Sequence, residues 1–83
     1  MKHEHIWKET TEEGEKREVR AHKEGGKWRV QAKLNSEEAW TYYKRPEIRD
    51  LEALVEILER KYRRKRVAFD DITLAKRMIQ ELS

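Results

Sequence analysis

The densest run of chemistry-bearing side chains is Arg60-Lys61-Tyr62-Arg63-Arg64-Lys65-Arg66, in which six of seven consecutive residues are cations. Guanidinium and ammonium groups at this density can neutralise phosphates, each contact adding salt-dependent affinity through counterion release. The run also carries the net charge. Residues 1–43 hold nine basic and nine acidic groups, so the +3 of the chain arises beyond them. A solvated helix end explains the same residues another way. Glu56–Arg60 and Glu59–Arg63 are i,i+4 pairs in the favourable orientation, and cations complement the dipole at a helix C-terminus. Setting those pairs aside leaves Lys61, Arg64, Lys65 and Arg66 as candidate contacts to phosphate or to an acidic partner.

Arg20, Arg29, Gln31 and Lys33 form a second candidate if they stand together on the outer face of a sheet. A β-ribbon fits the major groove, and Arg and Gln have the donor and acceptor geometry that reads guanine and adenine edges. Tyr43, or Trp40 in the alternative register, would add a stacking surface beside Lys33. Glu18 and Glu4 share this face, and cross-strand ion pairs account for an alternating charge pattern without any ligand.

Histidine offers a third constellation. His3-x-His5 on a strand places two rings on one face, a spacing open to a metal, but the third ligand would have to be His22. A three-residue first turn puts His22 on the opposite face, near Glu4, whereas a two- or four-residue turn would bring the three together. No acid or thiol completes a set, so no metal and no cofactor is expected, and the histidines are read as solvent-exposed. Catalysis has the least support. A nucleophile needs an activating base and an orienting group, and the two serines, Ser36 and Ser83, fall in a turn and at the end of the sequence. Asp70-Asp71 is most simply a helix cap, and Gly25-Gly26 joins strands rather than opening a phosphate-binding helix. The expectation is not an enzyme.

These residues must be held by 83 residues of which 45% are charged and 36% hydrophobic, with a mean hydropathy of −1.18. That length suits one small domain over 1–83. No segment approaches the roughly 20 apolar residues of a membrane span, and the first residues do not read as a signal peptide. The absence of cysteine excludes disulfides and thiolate chemistry, and fits a cytoplasmic protein. Three Trp, three Tyr and one Phe in periodic patterns argue against disorder.

The elements follow from turn chemistry and periodicity. Gly25-Gly26 supplies positive φ at both centres of a two-residue hairpin turn. Pairing Glu24 with Lys27 sets Ala21 opposite Val30, Val19 opposite Ala32 and Glu18 opposite Lys33. Val19, Ala21, Trp28, Val30, Ala32 and Leu34 then share one face, and a one-residue slip would destroy that sorting. A preceding strand near 3–10 turns through Glu12-Glu13-Gly14, bringing Trp7 to Val19 and Lys8 to Glu18. A fourth strand near 39–44 follows Asn35-Ser36-Glu37-Glu38. The demand for core volume favours Trp40 and Tyr42 pointing inward over Ala39, Thr41 and Tyr43.

Beyond Pro46, placed in the first helical turn, apolar residues recur at Ile48, Leu51, Leu54, Val55, Leu58 and Tyr62, predicting a helix over about 47–64. Phe69 is expected as a buried plug, and Asp70 or Asp71 as the cap of a second helix over about 71–82. The fold class is therefore α+β, a four-stranded antiparallel meander (strands near 3–10, 16–24, 27–34 and 39–44) with two C-terminal helices covering one face. The function expected first is a non-enzymatic interaction module binding a protein partner or itself, since a short open meander leaves strand edges unpaired. The alternative is a small nucleic-acid-binding module using the cluster at 60–66 together with Arg20, Arg29 and Lys33.

Overall fold

In a computed structural model of the protein, the structure is described for residues 4–83. It has four antiparallel strands in one sheet, followed by two helices, which is the α+β class read from the sequence. The chain divides into two compact units, Met1–Arg45 and Pro46–Ser83.

The first unit is a meander of β1 (Glu4–Thr10), β2 (Lys16–Glu24), β3 (Lys27–Leu34) and β4 (Thr41–Tyr43), in that spatial order. Gly25 and Gly26 have φ of 59° and 75°. Positive φ at both central positions makes a type I′ turn, whose twist matches that of the flanking strands. The register follows, with Glu24 opposite Lys27, Ala21 opposite Val30 and Val19 opposite Ala32. At the β1–β2 turn Gly14 has a φ of 84° and donates its N–H to the Thr11 carbonyl at 2.9 Å. That three-residue loop sets Trp7 opposite Val19 and Lys8 opposite Glu18.

Val19, Ala21, Trp28, Val30 and Ala32 are buried on one face. Two polar side chains join them where the sequence reading placed none. His5 is buried and meets Trp28 in a tilted pair with ring centroids 5.6 Å apart, which corrects its expected exposure. Arg17 is also buried, donates to the Glu9 carboxylate and reaches the Tyr43 hydroxyl at 3.2 Å.

The fourth strand departs from expectation in length and facing. Glu37 Oε1 accepts the Leu34 N–H at 2.9 Å, so that donor is withdrawn from the β3–β4 ladder and pairing stops at Ala32 opposite Thr41. Tyr43 lies opposite Val30 and Tyr42 opposite Gln31, so Tyr43, not Tyr42, shares the buried face. Tyr42 is 73% exposed. Trp40 lies on the outer side, its ring beneath the Arg20 guanidinium at 4.3 Å. The volume assigned to Trp40 and Tyr42 is supplied instead by His5, Arg17 and Tyr43.

The second unit is a helical hairpin of α1 (Ile48–Arg63) and α2 (Phe69–Leu82). Leu51, Leu54 and Leu58 bury one stripe of α1, and Ile72, Ala75 and Met78 one stripe of α2, as the 3.6-residue period requires. Pro46 lies one residue outside the helix, before the extended N-cap Glu47. The second helix begins two residues earlier than expected, with Ala68 as its N-cap and no side-chain cap bond. Asp70 and Asp71 therefore lie in the first turn, where carboxylates favour the helix dipole without capping it. Asp50 and Asp71 are both buried.

Candidate functional site

The basic run forms the elbow between α1 and α2. Arg64 is the C-cap of α1, and its own N–H returns to the Lys61 carbonyl at 3.1 Å. Lys65 takes the left-handed conformation at φ 59°. Its N–H bonds the Tyr62 carbonyl at 2.8 Å and the Arg66 N–H bonds the Lys61 carbonyl at 2.9 Å. This pair of bonds is the Schellman motif that satisfies the last helical carbonyls, in which the left-handed residue is usually glycine.

The charges here are less compensated than i,i+4 spacing implies. Glu59 pairs across the hairpin with Lys76 at 3.6 Å rather than with Arg63. Arg60, Arg63, Arg64, Lys65 and Arg66 are all exposed, and none of them has an ion-pair partner among the described residues. Aromatic surface lies beside them. Phe69 is 58% exposed, Tyr62 is 46% exposed, and their rings meet at 5.6 Å in a tilted pair. Phe69 is therefore not a buried plug. Starting α2 at residue 69 puts it on the solvent side of the first turn, and Tyr62 leaves the apolar stripe of α1 to meet it.

The outer sheet face is the second site. Pairing aligns Ile6, Arg20, Gln31 and Tyr42 in one rung across all four strands. His22 faces Arg29 in the next rung, and Glu18 faces Lys33 on the other side. Cross-strand ion pairs do not account for this face. Among the described residues, Glu18, Arg20, Arg29 and Lys33 have no ion-pair partner, while His22 holds Glu24 at 3.3 Å. Two depressions open here. One, of about 190 Å³, is lined by Lys8, Lys16, Glu18, Lys33 and Asn35. The other, of about 330 Å³, lies along β3 and β4, with His22, Glu24, Arg29, Gln31, Tyr42 and Lys44 among its lining residues.

The histidine constellation does not assemble. His3 lies outside the described residues, while His5 is buried and His22 lies opposite Glu4 on the outer face. Among the described residues no group of three or more His, Asp or Glu side chains could hold a metal ion. Ser36 gives only its backbone N–H, to Glu15, and the Ser83 hydroxyl donates to the Ile79 carbonyl at 2.8 Å. No helix among the described residues is long and apolar enough to cross a membrane.

Four features escaped the sequence reading. Arg17 facing Glu9 was available from the β1–β2 register itself. The Arg20–Trp40 stack and the exposed Tyr42 depended on the facing of β4, which Asn35–Glu38 leaves open. The Tyr62–Phe69 pair depended on where α2 starts. Compared with known proteins, the chain matches no protein-family model, and no curated protein or solved structure resembles it at a significant level.

Proposed function

We propose that the chain is a small, non-enzymatic, cytoplasmic module that binds nucleic acid, with the elbow at 60–66 as its phosphate-contacting surface. One observation carries this reading: five exposed cations without carboxylate partners lie next to an exposed aromatic pair. Cations already paired would gain little from a phosphate, because each pair must be broken first. Unpaired cations attract polyanions from a distance and release counterions on contact. Exposed aromatic rings add stacking surface for bases.

The test is a titration of one oligonucleotide sequence, single-stranded and duplex, at two salt concentrations. Each phosphate contact should contribute about −0.9 to the log–log salt slope for duplex and about −0.7 for single strands. The double substitution Arg64→Ala with Lys65→Ala should weaken binding and reduce the slope by about 1.8 for duplex and about 1.4 for single strands. No binding of either form at low salt would contradict the reading.

A second reading, association with a protein partner or a second copy, is supported by the open edge of β1. Among the described strands this seven-residue strand pairs only with β2, and Ile6 on its outer side is half exposed. Unpaired edges can accept a further strand. Sedimentation at micromolar concentration should then show a dimer that Ile6→Lys abolishes, and a monomer would contradict self-association.

A further inference from the structure

We infer that the groove along β3 and β4 takes an unpaired nucleobase, so that single-stranded nucleic acid is the preferred ligand. This inference rests on the nucleic-acid reading above and names its ligand class. The groove combines three kinds of group that such a ligand needs. Tyr42 offers a ring that is 73% exposed, the most exposed large hydrophobic side chain of the described residues. A base in a duplex is already stacked on its neighbours, whereas an unpaired base gains a partner by lying on such a ring. Arg29 and Lys44 line the same groove without ion-pair partners. They supply positive charge for the sugar–phosphate backbone on either side of the base. The single carboxylate in the lining, Glu24, is engaged by His22 at 3.3 Å.

Gln31 supplies the third group and is the independent pointer to a ligand. It lies directly opposite Tyr42, is only 7% exposed, and its Oε1 has no hydrogen-bond donor. Buried acceptors are almost always satisfied, and an exception calls for an explanation. An exocyclic amine or ring N–H of a base entering the groove is a donor of the required kind. Arg20, opposite Gln31 on β2, lies over the Trp40 ring at 4.3 Å, and its buried Nε also has no acceptor.

The experiment measures dissociation constants of the full chain for oligo-dA, oligo-dC and oligo-dT, and for a duplex of matched length, by fluorescence anisotropy at low salt. Single strands should bind more tightly than duplex. Tyr42→Ala should weaken single-strand binding about tenfold and leave duplex binding within about twofold. Tyr42→Phe should retain the wild-type affinity. Gln31→Leu should bring the three homopolymers to within about twofold of one another. Tyr42 is exposed, so its substitution should not disturb folding, and a thermal melt verifies this. Equal or tighter duplex binding, or unchanged single-strand affinity in Tyr42→Ala, overturns the inference. If Arg64→Ala with Lys65→Ala still weakens binding in that case, the nucleic-acid reading stands without the groove. If no nucleic acid binds at low salt, both fall.

Discussion

Two reversals of this chain use the same backbone conformation and fill it with opposite residue types. Gly25, between β2 and β3, has a φ of 59°, and Lys65, after α1, also has a φ of 59°. At the hairpin the sequence chooses the residue for which positive φ costs nothing. At the elbow it keeps a side chain whose Cβ crowds the neighbouring carbonyl, at a cost of about 1 kcal/mol or more. The contrast separates two purposes. The Gly-Gly turn sets a register and has no side chain to offer. The elbow gives up some stability to hold a cation among four others that lack partners. Strain of this kind concentrates where a side chain is needed for something besides folding.

Three substitutions can break or sharpen that comparison. The hairpin carries Trp28, which is fully buried and in tilted ring contact with His5. Trp28→Ala should cost about 3–5 kcal/mol, comparable with the whole stability of about 3–5 kcal/mol available at this size. The expected outcome is loss of cooperative thermal unfolding by circular dichroism. A cooperative melt with an unchanged midpoint would show that the register set by the glycines does not build the core. Next, Gly26→Ala should destabilise by about 1–2 kcal/mol, read as a lower urea midpoint. No Cβ clash arises there, since nothing lies within 4 Å of a side chain added at Gly26. The loss would therefore report backbone conformation alone. Smallest and opposite in sign, Lys65→Gly should stabilise by about 1 kcal/mol.

The same contrast explains what could be read from the sequence. The β2–β3 register was legible because turn chemistry and period-2 alternation agree there, and a one-residue slip would break the sorting of Val19, Ala21, Trp28 and Val30 onto one face. The facing of β4 was not. Asn35–Glu38 permits several loop geometries, and His5 and Arg17, polar residues that no core-volume estimate counts, fill the buried face by ring contact with Trp28 and by pairing with Glu9. Of the candidate site, the cations at 60–66 were visible as a run. Their lack of partners was not, because Glu59 has two cations within reach, and only the packing of α2 on α1 directs it to Lys76. Phe69 was misplaced because an apolar residue beside a helix start resembles a plug until the helix boundary is known.

The most direct test of a cation retained against backbone strain is to measure unfolding and oligonucleotide binding on the same Lys65→Gly protein, with Lys65→Arg as the charge-preserving control. The prediction is a higher melting temperature together with a several-fold weaker affinity and a salt slope smaller by about 0.7–0.9, while Lys65→Arg leaves both near wild type. A Lys65→Gly protein that is more stable and binds as tightly, with the same salt slope, would contradict it.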